Sequence, residues 1–201
     1  MNQHFQLTKK QEEAKTAFEF NEALKADAEY MRIQRERESE RKARMKILND
    51  EEKPLVDELK SAGHDVESAW DFVNTNENYY DVLPVLIKHL QLPYLDRNKE
   101  GIVRSLIMKE FRGVAGPYVL AELKKFENFN TEIKCSSRSV PQELKKFEKI
   151  DRSNLISVFL SALQCLADRS MTADLEAMLD DEKYAPIRDV IEKAIRKSKK
   201  K

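Results

Sequence analysis

YYDVLPVLIKHLQLPYLDRNKEGIVRSLIMK, residues 79–109, decides the fold of this chain. Val82, Leu83, Leu86, Ile87 and Leu90 recur at the period of one apolar helix face. The stripe stops at Leu92–Asp96, where Pro93 and Asp96 bracket a break, and resumes in Ile102, Val103, Leu106 and Ile107. Residues 172–197, TADLEAMLDDEKYAPIRDVIEKAIRK, repeat the arrangement. There Leu175, Met178 and Leu179 precede a break at Asp180–Ala185, and Ile187, Val190, Ile191, Ala194 and Ile195 follow it. Leu86 falls on Met178, Ile102 on Ile191 and Leu106 on Ile195, with the second break three residues shorter. A helix pair that cannot bury its apolar face alone must stack on neighbouring pairs, so the recurrence predicts an all-α solenoid of stacked helix pairs.

Composition agrees with a helical chain. Only 4 of 201 residues are Gly, which leaves few positions for hairpin turns, while Lys, Glu, Leu and Ala are abundant. Charged residues make up 36% of the chain, well above the usual quarter, yet Lys+Arg and Asp+Glu balance at 36 each. A balanced chain has no global field to recruit a polyanion or a membrane surface. No apolar run reaches the ~20 residues that span a bilayer, and MNQHFQLTKKQEEAK lacks the apolar core of a signal peptide. Cys135 and Cys165 form no metal-ligand spacing. The expectation is a cytoplasmic protein with reduced thiols and no cofactor.

Two domains are expected: a charged N-terminal helix over 1–48 and a helical-repeat domain over 49–201. Thr8 is a candidate N-cap, and Ala17, Phe20, Leu24, Ala28 and Met31 make a thin apolar stripe that disappears beyond Ile33. Pro54 suits the first turn of a helix carrying Leu55, Val56 and Leu59, with Gly63 as its C′ residue. Asp65 is positioned to cap a helix through Val66, Ala69, Trp70 and Val73. A further helix runs over roughly 116–126. Periodicity fails near 127–150, an irregular insertion holding a short helix near Gln142–Lys149. Leu155 to Leu166 is apolar on more than one face and should be the most buried helix, with Phe159 and Leu163 in the core. Thr172 is the candidate cap of the next helix, and Pro186 opens the last.

From about residue 80 onward the chain resembles the HEAT-repeat family, including the HEAT-like repeat proteins of bacteria. DVLPVLIKHLQLPYLDRNKEGIVRSLI and DLEAMLDDEKYAPIRDVIEKAIRK carry the resemblance. Pro84 matches the proline of the family's first helix, Asp96 and Asp180 its acidic turn, and Arg104 and Arg188 the basic residue of its second helix. The resemblance implies stacked helix pairs whose second helices line an inner binding face.

No residue pattern points to catalysis. His4, His64 and His89 are scattered, without a second His or Cys at metal spacing. Cys165 sits in an apolar helix like a small core residue, and no base is spaced to activate Cys135. GxGxxG, P-loop, HExxH and GxSxG motifs are absent. Some HEAT-like proteins are DNA glycosylases that pair aromatic residues with a carboxylate on a basic face. Here Trp70 is the only tryptophan, Ala69 and Val73 suggest that it packs, and the net charge is zero.

The expected function is therefore a non-enzymatic scaffold that binds another protein. Second-helix positions nominate Lys99, Arg104, Arg188, Lys193 and Arg196, and exposed aromatics nominate Tyr79, Tyr80 and Tyr94 as anchors. The alternative is nucleic-acid binding through local basic patches. Met31–Lys46 holds seven Lys/Arg against three Glu, and residues 196–201 add five cations.

Overall fold

The computed structural model describes residues 16–127, 129 and 153–199, and the regular structure among them is helical, with no strand. Thr8, Cys135 and the expected helix near Gln142–Lys149, with most of the insertion near 127–150, lie outside the described residues. The chain divides into two compact units, Met1–Ile47 and Leu48–Lys201.

In the first unit, α1 (Ala17–Ala26) opens on a capping box. Thr16 Oγ1 accepts from the Glu19 backbone N–H, and the Thr16 N–H donates to the Glu19 carboxylate, both at 3.1 Å. Asp27, in extended conformation, ends α1, and its carboxylate accepts from the Tyr30 N–H at 3.0 Å as α2 (Ala28–Ser61) begins. Up to Ile47 the support is local. Arg32 pairs with Glu29 and Glu36, and Arg41 and Lys42 pair with Glu38. Such helix-surface pairs at i,i+3 and i,i+4 spacing are solvent-screened and favour the helix only weakly.

Within the second unit, Leu48, Glu52, Leu55 and Leu59 of α2 are buried at four- and three-residue spacing. Pro54 therefore stands inside a helix, where the sequence predicted the first turn of a new one. An interior proline costs about 3 kcal/mol in an isolated helix. Burying Leu48, Leu55 and Leu59 contributes roughly 1.5–3 kcal/mol each, which outweighs that cost. The end of α2 is as expected. Gly63, at φ +96°, is the C′ residue, and the N–H groups of Gly63 and His64 return to the carbonyls of Lys60 and Leu59.

A 3₁₀ turn, Ala69–Asn74, follows, capped by Ser68 rather than by the expected Asp65. Asp71 accepts from the backbone N–H groups of Glu67 and Ser68 at 2.8 and 3.1 Å, which sets the start three residues later. Then come α3 (Leu83–Leu90), α4 (Asp96–Ser105), α5 (Gly116–Lys124), α6 (Ser153–Leu166), α7 (Thr172–Leu179) and α8 (Arg188–Ser198). Thr172 is the first residue of α7, not its cap, and its hydroxyl meets the Ser198 hydroxyl at 2.8 Å.

The repeated pattern has a structural counterpart. The 3₁₀ turn Tyr80–Val82 abuts the 8-residue α3, and the 3₁₀ turn Arg169–Met171 abuts the 8-residue α7. Each is followed by a break and a longer helix, α4 or α8. Matching these elements pairs Val82 with Met171, Leu86 with Leu175 and Leu90 with Leu179, one turn away from the register read off the sequence. In the second copy the break contains the 3₁₀ turn Glu182–Ile187, which holds Pro186.

α4 packs on the Ala69–Asn74 turn, on α3 and on α6; α6 packs on α5 and α8; α8 packs on α7. The core runs through α6, where Phe159, Ala162, Leu163 and Leu166 are fully buried. Phe159 meets Phe126 edge-on at 5.4 Å.

Candidate functional site

A buried carboxylate prepares the most distinctive surface feature. Glu52, on the core face of α2, accepts from the Ser68 hydroxyl at 2.9 Å and from the Ala69 N–H at 2.8 Å. Burial pushes its carboxyl above the usual range, against the pull of those hydrogen bonds. It thereby holds the start of the turn that carries Trp70. The indole ring lies against Gly101 of α4, where an added Cβ would come within 2.6 Å of Nε1. Trp70 Nε1 donates to the Arg97 carbonyl at 3.3 Å. The Arg97 guanidinium stands 3.6 Å from the ring centroid and that of Arg104 5.6 Å from it. Glu100 joins the two cations, at 2.9 Å from Arg104 Nε and 3.5 Å from Arg97 Nη1. Two guanidiniums and one carboxylate around a fixed indole leave a rigid platform with one net positive charge.

The predicted partner-binding residues do not form one site. Tyr79 is a core residue, 4% exposed, which corrects the expected exposed pair with Tyr80. Its hydroxyl donates to the Ser105 carbonyl at 3.1 Å, and its ring contacts Phe72 and Phe111. Tyr80 is exposed, its ring edge-on to Phe111 at 6.0 Å. Tyr94 is half-buried beside His89, 2.6 Å from Nδ1, and burial with the nearby Glu51, Glu52 and Glu58 carboxylates pushes its hydroxyl pKa up to about 12.

Lys99 is not a free surface cation either. Its ammonium donates to the Leu90 and Leu92 carbonyls at the end of α3 and pairs with Glu122 at 3.3 Å, and burial lowers its pKa. Arg104 belongs to the Trp70 platform. Arg188 donates to the Leu179 carbonyl at 3.2 Å, closing α7. Lys193 and Arg196 are exposed on α8 and make no ion pair among the described residues.

Between α4 and α8 lies α6, which carries no charged residue from Ser153 to Leu166 in a chain that is 36% charged. Its exposed positions are Asn154, Ser157, Ser161 and Cys165. Cys165 is thus at the surface, a correction to the expected core residue; the buried arc of the helix ends at Leu163 and Leu166 beside it. Neutral α6 is flanked in the packing order by the helices that carry Arg97 and Arg104 and Lys193 and Arg196.

Sequence reasoning missed the polar groups that hold the helix ends. Glu51 accepts from the Leu95 N–H and from Asn98 Nδ2, both at 2.8 Å, and so caps α4 from α2. In the sequence, Glu51 and Glu52 only precede Pro54, and no local spacing points to these distant N–H groups. His64 Nε2 lies 3.0–3.1 Å from both Asp81 oxygens and keeps that carboxyl below its usual range. His89 is 1% exposed; its Nε2 is 3.3 Å from Glu58 Oε1 without hydrogen-bond geometry. Among the described residues no group of His, Cys, Asp and Glu is arranged to hold a metal ion, and no helix is long and apolar enough to cross a membrane. No protein family, no curated protein and no solved structure matches this chain.

Proposed function

We propose that residues 48–199 are a non-enzymatic, HEAT-like repeat scaffold that binds another protein along the exposed edges of α4, α6 and α8. The observation that carries the reading is the recurring unit, a 3₁₀ turn, an 8-residue helix, a break and a longer helix, present at 80–105 and again at 169–198. Helix pairs of this kind have no independent core, and stacking them leaves one row of helices free to meet a partner. The neutral edge of α6 is the centre of that row in this reading. Arg104, Lys193 and Arg196 are its charged margins, and Tyr80 is an aromatic candidate outside it. A rim of charge around an uncharged centre is the usual composition of a protein-binding surface.

A photo-crosslinking residue placed at Ser161 of the full chain tests this in extracts of the native host. A discrete protein adduct is expected from Ser161 and none from the same group at exposed Lys53 of α2. Equal labelling at both positions, or none at Ser161, contradicts the reading. Duplex DNA supplies the competing outcome. Affinity that survives about 0.15 M salt and disappears on neutralising Arg104, Arg188 and Arg196 would transfer the surface to a nucleic acid.

A further inference from the structure

The described part of the first unit, residues 16–47, buries none of its side chains. Phe18 is 73% exposed and Met45 46%, and Phe20, Leu24, Tyr30, Met31 and Ile33 are only half-covered. Charge divides at the middle of this segment. Residues 16–31 carry Glu19, Glu22, Asp27 and Glu29 against Lys25, four acids to one cation, net −3. Residues 32–47 carry Arg32, Arg35, Arg37, Arg41, Lys42, Arg44 and Lys46 against Glu36, Glu38 and Glu40, seven cations to three acids, net +4. The neutrality of the whole chain conceals this polarity.

We propose that residues 16–47 are a self-association element, the acidic and apolar first half of one copy lying antiparallel on the basic second half of another. A two-fold axis near Met31 and Arg32 makes each contact occur twice, as a closed isologous interface requires. At that register Tyr30 of one copy lies level with Ile33 of the other within α2, and the acidic α1, set off by the extended Asp27, falls against the basic stretch of the partner copy's α2. The half-covered Tyr30, Met31 and Ile33 thus lie at the axis, and the net negative half of each copy faces the net positive half of the other. Parallel pairing would set acid on acid and base on base, which is destabilising in coiled helices.

Local ion pairs do not compete strongly. Arg32–Glu29 and Lys25–Glu22 have more than half of each side chain exposed, and solvent-screened pairs of this kind hold little of the charge in place. Arg35, Arg37 and Arg44 make no ion pair among the described residues and are available to the acidic half. The break at Asp27 separates α1 from α2, and on α1 Phe20 and Leu24, four residues apart, share one face while Phe18 stands on another. A polyanion would engage the basic half alone and leave the apolar stripe uncovered, which favours a second copy.

Sedimentation velocity on the full chain tests the proposal. Wild type is expected to be a concentration-dependent dimer that weakens with added salt. Glu22→Lys with Glu29→Lys in one variant, and Arg35→Glu with Arg37→Glu and Arg44→Glu in another, should each raise the dimer dissociation constant about tenfold or more. An equimolar mixture of the two should restore a heterodimer, with far-UV circular dichroism confirming that each variant stays helical. Wild type that remains monomeric up to about 0.1 mM, near the weak end of specific association, overturns the proposal. So does dimerisation unchanged in both variants, or a monomer whose Arg35, Arg37 and Arg44 bind duplex DNA instead.

Discussion

Replacing Gly101 with Ala sets two well-defined effects against each other. Gly101 lies inside α4, where Ala ordinarily stabilises a helix by about 0.8–1 kcal/mol. Here the new Cβ would come 2.6 Å from Trp70 Nε1 and 2.8 Å from Cδ1. The ring has little room to retreat, because Nε1 is bonded to the Arg97 carbonyl and the Arg97 guanidinium stands over the ring. Overpacking of this kind costs about 1–3 kcal/mol. Breaking the indole hydrogen bond adds about 0.5–1.5 kcal/mol, and disturbing the cation–π contact about 0.5–1. The clash wins, and the net loss should be about 1–4.5 kcal/mol, or roughly 2–4 °C in Tm per kcal/mol for a chain of this size. Since Trp70 is the only tryptophan, its emission and acrylamide quenching report directly on the displaced ring. In a Trp70→Leu background the same Gly101→Ala change should become stabilising, the two sites being strongly coupled. A Gly101→Ala protein that melts higher than wild type with unaltered emission would refute this packing of Trp70 on α4.

Phe159→Ala removes a fully buried ring from α6 and should cost about 3–5 kcal/mol, read by a denaturant melt. Arg112 donates from Nε to the Ala167 carbonyl at 2.7 Å and from Nη2 to the Lys197 carbonyl at 3.0 Å, closing the ends of α6 and α8 together. Losing these charged hydrogen bonds in Arg112→Ala should cost about 2–4 kcal/mol. Hydrogen exchange should quicken in α8 while α4 stays protected. Burial holds the His89 pKa below the usual imidazole range, so the unfolded chain takes up this proton at higher pH than the folded one does. Stability from His89 is therefore complete above the ordinary histidine pKa and is lost as pH falls below it, by at most about 1.4 kcal/mol per pH unit. Glu51 and Glu52, whose pKa values burial raises, act in the opposite sense, their contribution being lost as pH rises through the carboxylate range. The difference between wild type and His89→Asn across pH 5–7.5 isolates the histidine, and a flat difference would contradict its burial.

Periodicity made the helices around Leu86, Ile102, Phe159 and Ile191 legible, because a stripe of apolar residues at helical spacing reports burial directly. Gly63 was legible for a similar reason, since a positive φ after an apolar helix has few alternatives to glycine. Pro54 misled because a local rule placed it at a helix start, whereas the long-range packing of Leu55 and Leu59 keeps α2 continuous through it. Asp65 misled in the same way. The acid that organises the Trp70 turn is Glu52, 16 residues before Ser68, and no local spacing reveals it. Tyr79 and Cys165 exchanged places, buried for exposed and exposed for buried. A tyrosine in a polar run can rotate into the core when a carbonyl such as that of Ser105 accepts its hydroxyl.

The nominated cations were the least legible part, and the reason lies in how this chain ends its helices. With only 4 glycines it closes few helices through a left-handed residue, so terminal carbonyls need other donors. Long basic side chains supply them. Lys99 serves the end of α3, Lys183 donates to the Lys124 carbonyl at the end of α5, and Arg112 and Lys197 serve the end of α6. Arg188 closes α7, and Arg112 reaches the Lys197 carbonyl near the end of α8. A cation at a helix C-terminus also gains from the helix dipole, about 0.3–1 kcal/mol. In one sequence a capping lysine and a ligand-binding lysine look alike, because both sit after an apolar stripe. Once the capping residues are set aside, Arg104, Lys193 and Arg196 remain from the nominated cations. On the proposed scaffold reading, substitutions at these three, beside the uncharged edge of α6, alter binding of a partner protein while the helical ends stay closed.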